Sequence, residues 1–155
     1  MSDDPSSASE NSSPLPGDAI KESIAQAQHD LRNPLGNVLC FCEWLLPQLP
    51  QSGADDLRAG LNSIYQTTDQ MLRDINEVLD PDKPPPEAQA VKSLQERLRP
   101  RVGQNQVAIQ SLRLKAAAST NPSFCEDLAR MDDSAQRIGK LIDSALSFYE
   151  PTAKL

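Results

Sequence analysis

The sequence contains a single histidine, His29, and the residues beside it have types and spacing that could carry chemistry. Asp30 follows directly, and Asn33 stands four residues on. An exposed imidazole next to a carboxylate suits phosphoryl transfer through nitrogen. One ring nitrogen attacks phosphorus, while the other must lose or hold a proton that Asp30 can accept or orient. Asn33 can hydrogen-bond a phosphoryl oxygen or align a water for hydrolysis. Pro34 removes a backbone donor, frees the carbonyl of Asp30 and kinks a helix just below the histidine. Gly36 removes side-chain bulk, so that a partner could approach closely.

That chemistry requires the imidazole to be exposed, and helical phase supplies the test. At about 100° per residue, His29 lies about 200° from Leu31 and about 140° from Ile24, away from the apolar seam. Asn33 shares its face, Gly36 and Cys40 continue the stripe, and Trp44 sits near its lower end. The seam is a heptad series of Ile24, Leu31, Val38 and Leu45, with Leu35 and Cys42 between them.

Prolines punctuate the chain into four segments, roughly 17–48, 54–80, 87–118 and 122–149. Pro122 follows Asn121, which reads as an N-cap with proline at the first helical position. The second segment repeats Leu57, Leu61, Ile64, Thr68, Met71, Ile75 and Val78 at alternating spacings of four and three, and the fourth does the same from Phe124 to Ala145. The third is weaker, through Val91, Leu94, Leu98, Val102, Asn105, Ile109 and Leu112. No segment alternates like a strand. The fold class is therefore all-α. Residues 1–16, rich in Ser, Asp, Pro and Asn, read as a disordered tail. Pro81, Pro84, Pro85 and Pro86 form a stiff linker over 81–86.

A shift of 67 residues lays the second segment on the fourth, Leu57 on Phe124 through Leu79 on Leu146. The same shift lays Leu31 on Leu98, Arg32 on Arg99, Leu35 on Val102 and Gly36 on Gly103. The chain thus reads as two antiparallel helical hairpins, 17–80 and a diverged copy over 87–150. One hairpin cannot bury its stripe, but two can close a four-helix bundle. Glu96 stands where the shift puts His29 and Arg97 where it puts Asp30, so the second copy is expected to be chemically silent.

Composition removes other classes. Aromatics are 4% of residues and charged residues 24%, with a net charge of -7. That balance argues against a nucleic-acid-binding surface. No segment is long and apolar enough to span a bilayer, and the start at Met1 lacks a basic and apolar leader. Cys40, Cys42 and Cys125 fit neither a disulfide framework nor a zinc site, so no metal ligands are expected and reduced cytoplasmic cysteines are the plain reading. The basic residues Lys92, Arg97, Arg99, Arg101, Arg113 and Lys115 are expected to face the acidic residues of the second segment. Trp44 reads as end-of-core packing or as a docking residue, and Tyr65 and Leu72 as a widening of the core, with part of the docking face as the alternative.

The run His29-Asp30-Leu31-Arg32-Asn33-Pro34-Leu35 resembles the H-box of the dimerisation and histidine phosphotransfer (HisKA-type DHp) domain of sensor histidine kinases. The resemblance extends over the hairpin 17–80 and, through the shift, weakly over 87–149. It implies that His29 is the phosphoacceptor, Asp30 the acidic residue assisting transfer, and Asn33 the polar residue used in dephosphorylating a receiver domain. The chain departs from those kinases in offering no ATP-binding domain after the hairpin, so no autokinase activity is expected unless it is a piece of something longer. The start at Met1 speaks against truncation at that end. The family's domain is normally a homodimer, whereas two hairpins in one chain imply a monomeric pseudo-dimer.

Two functions follow as expectations. The first is a phosphotransfer protein of a phosphorelay, exchanging a phosphoryl group between His29 and the aspartate of a response-regulator receiver, with phosphatase action as a close variant. Arg32, Gly36, Cys40 and Trp44, with the neighbouring second helix, would dock that receiver. The receiver would bring its own Mg²⁺, so no intrinsic cofactor is needed. The second is a non-catalytic regulator that sequesters a receiver or inhibits a histidine kinase.

Overall fold

The computed structural model describes residues 16–119 and 122–146. Among these it contains four long helices and no strand: α1 (Pro16–Leu45), α2 (Asp55–Val78), α3 (Ala88–Ser119) and α4 (Pro122–Ala145). The expected tail lies almost wholly outside the described residues, as does Asn121, the expected N-cap.

Each boundary has a local cause. α1 gives way to a short 3-10 turn, Leu46–Gln48, where Pro47 removes a backbone donor. Gly53 takes φ +86, a left-handed conformation that a side chain would resist, and reverses the chain before α2. Asp55 and Asp56 stand in the first turn of α2, where acidic side chains favour the helix dipole. Lys83 donates its backbone N–H to Asp80 in the linker, and the N–H groups of Ala90 and Val91 reach back to Glu87. α1 and α3 run unbroken through Pro34 and Pro100.

The helices form a ring in which α1 packs on α2 and α4, and α3 packs on α2 and α4. Gln28 meets Asn76, and Glu43 meets Tyr65, so the start of α1 lies beside the end of α2. Arg101 meets Asp74, and Asn105 meets Thr68, across α2 and α3. All four helices contribute to one continuous core, with Leu31, Leu35, Leu61, Ile64, Leu94, Leu98, Leu128 and Met131 fully enclosed.

Most buried apolar positions of the two halves coincide at the 67-residue shift. Ile24 and Val91, Ala27 and Leu94, Leu45 and Leu112, Leu57 and Phe124, and Leu79 and Leu146 are buried pair by pair. Two pairs mix polar with apolar, Val38 with Asn105 and Thr68 with Ala135. The two polar members meet: Asn105 Nδ2 donates to Thr68 Oγ1 at 2.8 Å, and that hydroxyl donates to the carbonyl of Ile64. Both buried groups are thereby satisfied.

The expected charge pattern needs correction. Arg97 and Arg101 do reach α2, both at Asp74. Arg99 and Arg113 instead pair with Asp143 and Asp132 of α4. Residues two apart on a helix point about 200° away from each other, and α3 has a neighbour on each side. The basic residues therefore divide between both acidic neighbours.

Candidate functional site

His29 is exposed on α1, opposite the buried Leu31, as its phase requires. Helical angles sort its neighbours into a crest and two flanks. Cys40 shares the crest with His29 and is exposed. Arg32 and Gly36 lean to the α2 flank, where the Tyr65 hydroxyl donates to Glu43 at 3.1 Å. That bond stabilises the protonated phenol and raises the Tyr65 pKa above its ordinary value. Asn33, Asn37 and Trp44 lean to the other flank, towards α4.

Asp30 is half-buried, and its Oδ1 accepts a 2.7 Å hydrogen bond from Gln26 Nε2 one turn earlier. Asn33 is exposed, while Pro34 beside it is buried. A Cβ added to Gly36 would meet no atom within 4 Å, so nothing inside this chain demands glycine there. Trp44 is 65% exposed, which removes it from the core. Tyr65 and Leu72 are partly buried against the core edge.

Two grooves run along the seam between α1 and α4. One, of about 410 Å³, is lined by Asn33, Pro34, Asn37, Asp133, Ser134 and Arg137. The next, of about 350 Å³, is lined by Asn37, Cys40, Phe41, Trp44 and Asp127. Asn33, Cys40 and Trp44 thus border α4, whereas the sequence reading joined their face to the second helix. Sequence reasoning missed Asn37, Ser134 and Arg137. Asn37 was legible from its spacing to Asn33, but the two residues of α4 become neighbours only through tertiary packing.

The other end of the 67-residue correspondence lacks this chemistry. Glu96 is exposed at the place of His29, followed by Arg97. Further along α3, Val107 and Leu114 are 71% and 77% exposed. These two outward apolar residues explain why the helical pattern of the third segment is weak. Among the described residues, no group of three or more His, Cys, Asp or Glu could hold a metal ion, and no helix is long and apolar enough to cross a membrane.

Residues 19–87 match the family model of the His Kinase A (phospho-acceptor) domain. The match spans α1, α2 and the proline linker, contains His29, and ends just before α3. It ties this segment to two-component signalling, in which histidine kinases and response regulators are the interacting proteins. No curated protein and no solved structure matches the chain.

Proposed function

We propose that this protein is a histidine phosphotransfer protein, exchanging a phosphoryl group between His29 and the aspartate of a response-regulator receiver domain. The observation that carries the reading is the exposure of the lone imidazole on the crest of α1, inside the segment that matches the phospho-acceptor model. From an aspartyl phosphate, one ring nitrogen attacks phosphorus with its lone pair. The P–O bond to the receiver's carboxylate breaks, and the carboxylate leaves with the bonding electrons. The other ring nitrogen keeps its proton or shares it with Asp30. The receiver supplies Mg²⁺. Asn33 hydrogen-bonds a phosphoryl oxygen during transfer, or orients water when the receiver is dephosphorylated.

The two halves act as an intrachain pseudo-dimer of antiparallel hairpins, and the matching burial at the 67-residue shift supports this reading. The second half completes the bundle and, with Glu96 and Arg97 at the corresponding places, adds no second phosphoacceptor.

The test uses a panel of receiver domains phosphorylated with a labelled small-molecule phosphodonor. Acid-labile, base-stable label on this protein, lost in His29→Gln, is the expected result. Receiver dephosphorylation without label, lost in Asn33→Ala, would place the phosphatase variant first. Tight binding that survives His29→Ala and leaves every receiver phosphorylated would overturn the proposal in favour of sequestration. Sedimentation as an obligate dimer would overturn the pseudo-dimer.

A further inference from the structure

All nine arginines of the chain lie among the described residues, and seven of them sit within 4 Å of a carboxylate. The two without an ion pair are Arg32 and Arg137, and both border the face of His29. In a chain of net charge -7, where acidic partners outnumber basic ones, leaving these two guanidiniums uncompensated is a local exception. Arg137 lies on α4 and lines the groove that Asn33 and Asn37 line from α1. Asp133 borders the same groove but stays beyond ion-pair distance.

The 67-residue correspondence supplies an internal control. Arg137 corresponds to Gln70, which donates to Asp74 at 3.1 Å. Arg32 corresponds to Arg99, which is held by Asp143 at 2.6 Å. On the face without a histidine, both counterparts are engaged within the chain. Among the arginines, only the two that border the face of His29 have no ion pair.

The two flanks of α1 also differ in access. The α2 flank is tied by the Gln28–Asn76 and Tyr65–Glu43 hydrogen bonds. The α4 flank carries the exposed Trp44 and the two grooves that lie beyond His29 towards the end of α1, whereas the groove on the α2 flank, lined by Lys21, Glu22, Ala25 and Pro81, lies before it, towards the start of α1.

We infer that the receiver domain docks along the α1/α4 flank, and that Arg137, from the half of the chain without a histidine, anchors a carboxylate on that receiver. Arg137 shares its groove with Asn33, Pro34 and Asn37, which stand four to eight residues beyond His29, roughly 6–12 Å along the helix axis at 1.5 Å per residue. The anchored anion is therefore distinct from the phosphoryl group being transferred. A charged contact at an accessible rim contributes chiefly to association and to its salt dependence. The inference rests on the receiver-binding reading above.

The experiment measures affinity and its salt dependence for whichever receiver labels His29 in the panel. Arg137→Gln, which installs the residue found at the corresponding position 70, should weaken binding about two- to fivefold and flatten the salt dependence. Its melting temperature should stay unchanged, because the side chain holds no ion pair to lose. Trp44→Ala should weaken binding as well, and Asn76→Ala, on the α2 flank, should not. Unchanged affinity in Arg137→Gln, or loss of affinity in Asn76→Ala alone, would overturn the inference while leaving His29 transfer intact. If no receiver labels or binds the unaltered protein, the phosphotransfer reading falls, and this inference falls with it.

Discussion

Gly36 and Gly60 occupy the same kind of helix interior and should respond oppositely to a methyl group. A Cβ at Gly36 meets open space, so Gly36→Ala should gain the helix propensity difference of about 1 kcal/mol and raise the unfolding midpoint. The same methyl group fills the space beneath His29, and receiver binding should weaken. A Cβ at Gly60 would lie 2.6 Å from Leu112 Cδ2 and 3.2 Å from its Cγ, and Leu112 is buried, so overpacking should make Gly60→Ala less stable in the same urea titration. The cysteines separate as clearly. Burial first, and the neighbouring Glu43 second, push the Cys42 thiol up from its ordinary value near 9 to about 12. The thiolate is the reactive species, so a thiol reagent at pH 8 should modify the exposed Cys40 and spare Cys42 in the folded protein. Because the folded value lies above the unfolded one, this contribution to stability is whole below about pH 9 and is lost as pH rises towards 12. Alkaline denaturation should therefore be shallower in Cys42→Ala. The exposure of His29 was legible from its angle to Leu31. That of Trp44 was not, because an aromatic beside the seam at a helix end satisfies either a core or a surface position.

Between elements, polar contacts distinguish one side of the bundle from the other. Asp74, 6% exposed, accepts hydrogen bonds from Gln70 and Arg101 and an ion pair from Arg97. At the corresponding place on the opposite side stands Leu141. Asp74→Ala should cost about 2 kcal/mol in denaturant unfolding, below the range for fully buried pairs because both arginines can rehydrate. Thr68→Val leaves the Asn105 amide without its acceptor and should cost about 1–3 kcal/mol. The double change Thr68→Val with Asn105→Leu should recover most of that loss, since no buried group is then left unpaired. The four helices and their limits were readable from proline positions and from the four-and-three spacing. The division of arginines between α2 and α4 was not, because a charge run gives no direction until the helix has two neighbours.

At the scale of the whole molecule, the telling property is a core to which all four helices of one chain contribute. Residues 16–86 alone would keep the stripe of α1 and α2 without the surface that covers it. That fragment should self-associate in sedimentation, with two copies of His29 per particle, while the 155-residue chain should sediment as a monomer if the pseudo-dimer proposed above holds. Sequence alone suggested this through the 67-residue shift, since buried residues recur wherever a repeated core is built. It could not show that Arg137, from the half lacking a histidine, lines a groove with Asn33 and Asn37, because that contact belongs to the closing of the ring. A bundle assembled from two separate subunits comes apart on dilution, and its working amount follows the square of subunit concentration when subunits are scarce. Here both halves arrive together from a single round of translation, in fixed one-to-one proportion. The number of assembled His29 faces should then rise in direct proportion to protein abundance, down to a few copies per cell.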